Sequence, residues 1–150
     1  MKSLTYTFCI SLLLALPLES HAQRKWKESL YSEINDSNFR DFKLFQKRLD
    51  KEKVDYPLLQ AALFYVTNEA RIEKGLNPVN HQPNLEIMAY NHSYHMAKDD
   101  FFDHTHPKNK KRRTPEDRAA LAGIKNPNIA ENIHAVGGRQ FGTYIELADH

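Results

Sequence analysis

The sequence predicts a mostly helical chain of the α+β class. Apolar residues recur at helical spacing from Leu58 to Lys74, and again from Leu85 to Met96. Residues 129–136 instead alternate irregularly between apolar and polar side chains, which is typical of an extended segment. Helices therefore account for most of the predicted structure, and one segment is a candidate strand.

Length and composition limit the possible classes of protein. A chain of 150 residues is the size of one domain. Its hydrophobic content of 41% and charged content of 27% are ordinary for a soluble globular protein. The formal net charge of +2 is too small to indicate nucleic acid or an anionic membrane as a partner. We therefore expect no nucleic-acid partner.

Residues 1–22 have the pattern of a secretory signal peptide. Lys2 precedes an apolar run from Leu4 to Leu18, and Ser20-His21-Ala22 offers a small-x-small cleavage site. The alternative is an uncleaved anchor, but the run is short for a span of roughly 20 residues. Cleavage would also remove Cys9, the only cysteine, and leave a mature chain without disulfides. We expect a secreted or periplasmic protein with no stable membrane insertion after cleavage.

Residues 23–57 predict a helical N-terminal extension. Apolar residues recur near helical spacing on both sides of residues 35–38, a polar break that is typical of a turn. We expect two short helices that pack on the domain, because amphipathic stripes are usually core. A binding role for the extension is the alternative interpretation.

Capping residues mark the helices of the predicted domain, which spans residues 58–150. Pro57 suits a first turn, and Gly75 is the predicted C-cap of the first helix. Asn84 is the predicted N-cap of the second helix. The segment Thr114-Pro115-Glu116-Asp117 combines a cap, a proline at the first helical position and acidic residues, so it predicts the start of a third.

Two histidines belong to the second helix, and neither is a strong ligand candidate by itself. His92 falls on the apolar stripe, where a histidine is more often a hydrogen-bonded core residue than a ligand. His95 follows at i+3, and an i, i+3 histidine pair can bind metal but is a weak signal.

Two further histidines, His104 and His106, lie in the loop after that helix. Pro107 disfavours helical geometry at His106, and Phe101-Phe102 should anchor the loop to the core. The loop continues into residues 108–113, where five of six side chains are cationic. This run could attract phosphates, although a solvated loop is the commoner meaning of a short charge run.

Several motifs follow one another in a recognisable order: Thr67-Asn68-Glu69-Ala70-Arg71, Gly75-Leu76-Asn77-Pro78, Leu85/Ala89/His92/Met96, Phe101-Phe102-Asp103-His104, Asp117-Arg118, Gly123 and Ala130-Glu131-Asn132-Ile133. No single motif is specific, but the ordered set resembles the CAP family of cysteine-rich secretory proteins, venom antigens and plant pathogenesis-related proteins. The cysteine-free bacterial branch is most similar. The resemblance covers roughly residues 58–150.

The resemblance implies an α-β-α sandwich with an open cleft that carries two histidines and two acidic residues. His104 matches the first family histidine, and Glu131 matches the acid of the Gly-Glu-Asn segment, although Ala130 replaces the usual glycine. His104 and Glu131 are therefore the expected ligands of a divalent metal, zinc or magnesium. The second acid and the second histidine have no match in this chain, and Glu146 and His150 do not correspond to them.

Three functions are compatible with these residues. The first is an exported binding module whose His/Glu cleft holds a metal ion or small ligand without turnover. The second is a metal-dependent hydrolase of peptide or ester bonds, in which His104 or the unmatched second histidine acts as base and Glu131 orients a metal or water. The third is a structural role, in which the pair only bond to each other. No serine or cysteine nucleophile stands out, which favours binding. The fold alone does not determine the activity.

The chain is also predicted to be the first part of a larger domain that does not fold stably alone. A final helix is expected from about Phe141 to His150 with no stop signal. The family's later strands have no counterpart here, so residues 129–136 would lack a strand partner. We therefore expect a mostly helical chain with several apolar side chains less buried than their type suggests, namely Leu59, Leu63, Val66, Ile133 and Ile145.

Overall fold

The computed structural model describes residues 25–125, 128–137 and 139–150. The predicted signal peptide, residues 1–22, lies outside the described residues. Four α-helices follow in chain order: α1 at Tyr56–Glu73, α2 at Pro83–Asp99, α3 at Pro115–Leu121 and α4 at Tyr144–Ala148. Three short 3₁₀-helices occupy Glu28–Ser32, Phe39–Asp41 and Lys110–Arg112.

The described residues are mostly helical, as predicted. Their one β pairing is an isolated antiparallel bridge between Arg48 and Thr143. Residues 129–136 are irregular and form no β pairing with any other described segment. None of the described helices is long and apolar enough to cross a membrane.

The ends of α1 follow from its flanking residues. The Asp55 carboxylate accepts a hydrogen bond from the Leu58 backbone N–H at 3.2 Å and so caps the first turn. Lys74 is the C-cap, and Gly75 follows it with a φ of +69°. The predicted C-cap glycine therefore lies one residue beyond the cap, in the left-handed conformation that a glycine adopts without steric cost.

The start of α2 differs from the prediction. The N-cap is Gln82, its side chain makes no capping bond, and Pro83 is the first helical residue. The prediction that Asn84 is the N-cap was therefore wrong, because the proline starts the first turn two residues earlier. The helix ends at Asp99, and Asp100 leaves it with a φ of +53°.

Two short helices begin with reciprocal capping boxes. At α3 the Thr114 hydroxyl accepts from the Asp117 N–H while the Asp117 carboxylate accepts from the Thr114 N–H, which confirms the predicted start. At α4 the same arrangement joins Thr143 and Glu146. The final helix therefore begins at Tyr144 rather than near Phe141, because the cap at Thr143 determines its first turn.

The main hydrophobic core joins the N-terminal segment to α1 and α4. Phe39, Phe45 and Leu58 are completely buried, and Tyr144 is 1% exposed. Aromatic contacts dominate it, with ring centroids of Trp26 and Phe45 5.5 Å apart. Residues before α1 and residues near position 150 thus share one core.

The burial of individual apolar residues agrees only in part with expectation. Leu63 is 44% exposed, and Leu59, Val66 and Ile133 are partly buried. Ile145 is 5% exposed, so the expectation of poor burial was wrong for this residue. Its position in α4 places it against the aromatic core, which the spacing in the sequence does not reveal.

Candidate functional site

The structure brings His104 and Glu131 together. Their side chains meet with 3.0 Å between His104 Nδ1 and Glu131 Oε1. The His104 side chain is 51% exposed, whereas the Glu131 side chain is 11% exposed. If Nδ1–H donates to the carboxylate, the other ring nitrogen of His104 carries a free lone pair.

Arg118, at the end of α3, holds Glu131 in place. Its Nη2 donates to both carboxylate oxygens of Glu131, at 2.8 and 2.7 Å, and to the backbone carbonyl of His104 at 3.0 Å. Its Nη1 donates to the carbonyls of Arg112 and Arg113. One buried guanidinium therefore joins three segments. They are the histidine loop, which carries His104 and His106, the basic loop of residues 108–113, and the segment that carries Glu131.

The charge on Glu131 is stabilised despite burial. Burial alone would raise the pKa of Glu131, but the hydrogen bonds from Arg118 and His104 outweigh it and hold that pKa below its usual range. The carboxylate is therefore ionised at neutral pH, and its lone pairs are already engaged. A metal at Glu131 would have to share the carboxylate with a guanidinium whose positive charge opposes it.

His92 supports this site from the core. It is 3% exposed, and its Nε2 lies 3.0 Å from the carbonyl oxygen of Asp103, the residue before His104. Burial lowers the pKa of His92, and the nearby Arg118 lowers it further. The interpretation of His92 as a hydrogen-bonded core residue is confirmed.

A second group of ligand-type side chains lies at the end of α2. His95, Asp99 and His106 can each place one ligand atom within 4.8 Å of the others, so the group could hold a metal ion. His95 Nδ1 is 3.1 Å from Asp99 Oδ2, and His106 Nε2 is 3.3 Å from the same oxygen. The hydrogen bond from His95 lowers the pKa of Asp99, which is therefore ionised at neutral pH.

His106 has an unpaired nitrogen in this group. The residue is 3% exposed, and among the described residues its Nε2 has no hydrogen-bond partner. Its Nδ1 accepts two long hydrogen bonds, from the backbone N–H groups of Lys108 at 3.3 Å and Asn109 at 3.2 Å. A buried polar atom without a partner is rare in proteins, and beside Asp99 it makes His106 Nε2 a candidate metal ligand.

A separate cavity of about 330 Å³ lies between α1 and α2. Apolar side chains form most of its wall, and the side chains of His81 and Glu86 contact each other at its edge. Neither His104 nor Glu131 lines it. This cavity is therefore distinct from both histidine sites.

The sequence predicts His106 or His95 near His104 and Glu131, as a supporting residue or an alternative ligand, and it does not point to Asp99 as a ligand. Asp99 lies four residues after His95, a spacing that places two side chains on one face of a helix. That spacing could have revealed the pair. His106, by contrast, joins them through the fold of a loop. Arg118 entered only as part of a family motif, and its central position required the structure.

Comparison with protein families matches residues 64–137 to the CAP family, described as the cysteine-rich secretory protein family. The match spans nearly half of the 150-residue chain and lies within the region of the predicted resemblance. It includes α2, α3, His104 and Glu131. No curated protein and no solved structure matches the chain. Residues 64–137 therefore form a segment that matches the CAP family of cysteine-rich secretory proteins.

Proposed function

We propose that this chain is an exported CAP-family binding module that holds a divalent metal ion at His95, Asp99 and His106, without turnover. One observation carries the proposal: the buried Nε2 of His106 lacks a hydrogen-bond partner among the described residues and lies 3.3 Å from an Asp99 carboxylate oxygen. A metal ion between them would satisfy both atoms.

The spacing of the ligand atoms suits a small tetrahedral ion. Zinc binds imidazole nitrogen and carboxylate oxygen at about 2.0–2.2 Å, which separates neighbouring ligand atoms by roughly 3.3–3.6 Å. The two nitrogen–oxygen distances at Asp99 are 3.1 and 3.3 Å. Only small side-chain movements would therefore be needed. Two imidazoles and one carboxylate favour zinc over magnesium, because magnesium prefers oxygen ligands.

Coordination would change the tautomer of His106. A metal on Nε2 leaves the ring proton on Nδ1, where it would face the N–H groups of Lys108 and Asn109. Both existing hydrogen bonds are long, so their loss costs little, about 0.5–1.5 kcal/mol each at most. We therefore expect the backbone at Lys108 and Asn109 to shift when the metal binds.

The predicted ligands His104 and Glu131 do not bind the metal in this proposal. Because Arg118 occupies both carboxylate oxygens, Glu131 is better suited to orient His104 than to bind the metal. The alternative function, metal-dependent hydrolysis of a peptide or ester bond, is favoured by one feature. His104 is half exposed, and a carboxylate holds its Nδ1, as expected of an oriented general base.

Zinc titration of the purified protein by calorimetry tests the metal site. We expect one bound zinc, and a loss of affinity of at least about 100-fold in Asp99→Asn and in His95→Gln, because ligand loss exceeds the effect of second-shell changes. The matched control is Asp100→Asn, which makes the same chemical change one residue away. Asparagine tolerates its φ of +53°.

The same titration distinguishes the two histidine sites. If His104→Gln or Glu131→Gln abolishes zinc binding while Asp99→Asn does not, the metal belongs to the His104–Glu131 pair and the present assignment is wrong. Zinc-dependent turnover of a peptide or ester substrate, lost in His104→Gln, would instead establish the hydrolase.

The proposal includes export and a CAP-type architecture. The pattern of residues 1–22 supports export to the periplasm or the cell exterior, and a small extracellular ligand is the partner we expect. The family match supports the α-β-α sandwich, and a sequence with no cysteine after Cys9 supports membership of the cysteine-free bacterial branch. Mass spectrometry of the exported protein should find its N-terminus at or near Gln23, and an intact Met1 in the membrane fraction would contradict cleavage.

A further inference from the structure

The proposed metal site at His95, Asp99 and His106 opens into a basic cavity. A cavity of about 400 Å³ is lined by His95, Asp99, His106, Lys108, Lys110 and Lys111. All three lysines are exposed, so their ammonium groups retain access to a ligand. A single acid faces three lysines, and a divalent ion at the histidines would add further positive charge. The wall therefore favours an anion.

The basic loop is held against the domain and is more than a solvated charge run. The His106 backbone N–H donates to the Arg113 carbonyl at 2.8 Å and closes the loop at its base. Arg118 donates to the carbonyls of Arg112 and Arg113, and the Asn109 side chain accepts from the Lys111 N–H at 3.1 Å. These bonds position Lys110 and Lys111 beside the proposed metal site.

We propose that the metal-loaded site binds the phosphoryl group of a phosphomonoester, with the metal and the three lysines 108, 110 and 111 as its partners. This inference rests on the proposed metal site. A phosphomonoester carries about −1.5 to −2 charge at neutral pH and three acceptor oxygens, whereas a carboxylate carries one charge and two oxygens. The excess of ammonium groups over acids at the cavity matches the phosphoryl group better. The cavity also has room for a small group attached to it.

Calorimetric titration of the zinc-loaded protein with phenyl phosphate tests the inference. We expect binding that disappears when zinc is removed by a chelator. Lys110→Gln and Lys111→Gln should each weaken phenyl phosphate binding about tenfold, because each removes one charge-assisted hydrogen bond. Lys74→Gln is the matched control: it removes one exposed lysine beyond α1, away from this cavity. Both lysine variants should keep their zinc affinity.

The possible outcomes separate the two proposals. Absence of zinc binding overturns the metal site itself. Normal zinc binding with phenyl phosphate affinity unchanged in Lys110→Gln and Lys111→Gln overturns only the phosphoryl inference, as does equally tight binding of benzoate. Phosphatidylcholine vesicles containing phosphatidic acid distinguish the source of the phosphoryl group. Zinc-dependent pelleting with them assigns a lipid headgroup, and phenyl phosphate binding without pelleting assigns a soluble monoester.

Discussion

At the scale of single residues, Arg118 determines how the histidine loop and the Glu131 segment meet. Its side chain is 4% exposed and donates to the Glu131 carboxylate and to three backbone carbonyls. A buried ion pair contributes little net stability compared with an apolar pair, but removal of one partner leaves the other charge uncompensated. The third function considered above, a structural role for His104 and Glu131, is therefore supported by the ion pair between Arg118 and Glu131. That ion pair is also compatible with a binding role.

Arg118→Met should destabilise the protein by about 3–5 kcal/mol, because the Glu131 carboxylate would remain buried without a cation. The measurement is the free energy of unfolding in urea. The double variant Arg118→Met/Glu131→Gln should recover part of this loss, since it removes the uncompensated charge. If the double variant is no more stable than Arg118→Met, the ion pair does not explain the loss.

Stability should also fall in acid through Glu131. Its pKa is lower in the folded protein than in the unfolded chain, so the unfolded state binds more protons in acid. The contribution is complete above the ordinary carboxyl pKa of about 4.3 and is lost as the pH falls through the lower folded value. His92, whose pKa is lowered by burial, adds a loss that begins below about pH 6.5.

The free energy of unfolding in urea, measured from about pH 7 to about pH 3, tests the pH ranges of both Glu131 and His92. Glu131→Gln should reduce the dependence at the acidic end, to which Glu69 and Asp99 also contribute, and leave the dependence that His92 causes. Glu116→Gln, which changes an exposed carboxyl group on α3, serves as the control. An unchanged acidic slope in Glu131→Gln would show that this carboxylate is not held by Arg118 in solution.

At the scale of elements, helix ends depend on a few local residues. Gly75 and Gly123 have φ angles of +69° and +81°, just after α1 and α3. The capping boxes at Thr114 and Thr143 satisfy backbone N–H groups that the first helical turn would otherwise leave unpaired. These features are local, which explains why most of them could be predicted. Pro83 shows the limit, because it starts α2 two residues before the first residue that a cap at Asn84 predicts.

Gly75→Ala should cost about 1–2 kcal/mol of unfolding free energy. An added Cβ would contact nothing within 4 Å, so the cost is backbone strain in the left-handed region alone. Gly75→Asn should cost less, because asparagine tolerates this conformation. Gly137→Ala is the control, since that glycine also has open space around it and has no positive φ. Equal costs at both positions would contradict the argument.

At the scale of the whole molecule, residues distant in sequence share one core. Phe39 and Phe45 pack with Tyr65 of α1, and Tyr144 of α4 accepts a hydrogen bond from the Asp55 N–H at 2.7 Å. Arg40 adds an ion-pair link on the surface, to Glu69 of α1 and to Asp149 beyond α4. Buried apolar contacts and exposed ion pairs thus connect the same three regions: the segment before α1, α1 itself and the region around α4. The two kinds of contact contribute different amounts to the free energy of unfolding.

Phe39→Ala should cost about 3–5 kcal/mol, because the side chain is completely buried and its removal leaves a cavity. Arg40→Gln should cost less than about 1 kcal/mol and should matter less in high salt, because the Arg40 side chain is 45% exposed. Thermal unfolding at low and high ionic strength measures both. A larger loss in Arg40→Gln than in Phe39→Ala would reverse this order of energies.

Much of the local structure could be predicted from the sequence, because its causes are local. Apolar spacing identified α1 and α2, the cap at Thr114 identified α3, and the ordered motifs identified the CAP family. The pairing of His104 with Glu131 was predicted through the family resemblance, since a sequence separation of 27 residues carries no local signal that they meet. Their metal-binding role stays a prediction.

Only the tertiary structure decided which charged groups meet. Arg118 reaches Glu131 because α3 packs beside the histidine loop, and His106 meets His95 and Asp99 because the loop folds back onto α2. Spacing along a helix fixes the face on which a side chain lies, but contact between a loop and a helix depends on the path of the intervening chain. The sequence by itself therefore determined the main helices and the resemblance to the CAP family. The fold decided that Glu131 is held by a guanidinium and that His95, Asp99 and His106 come together.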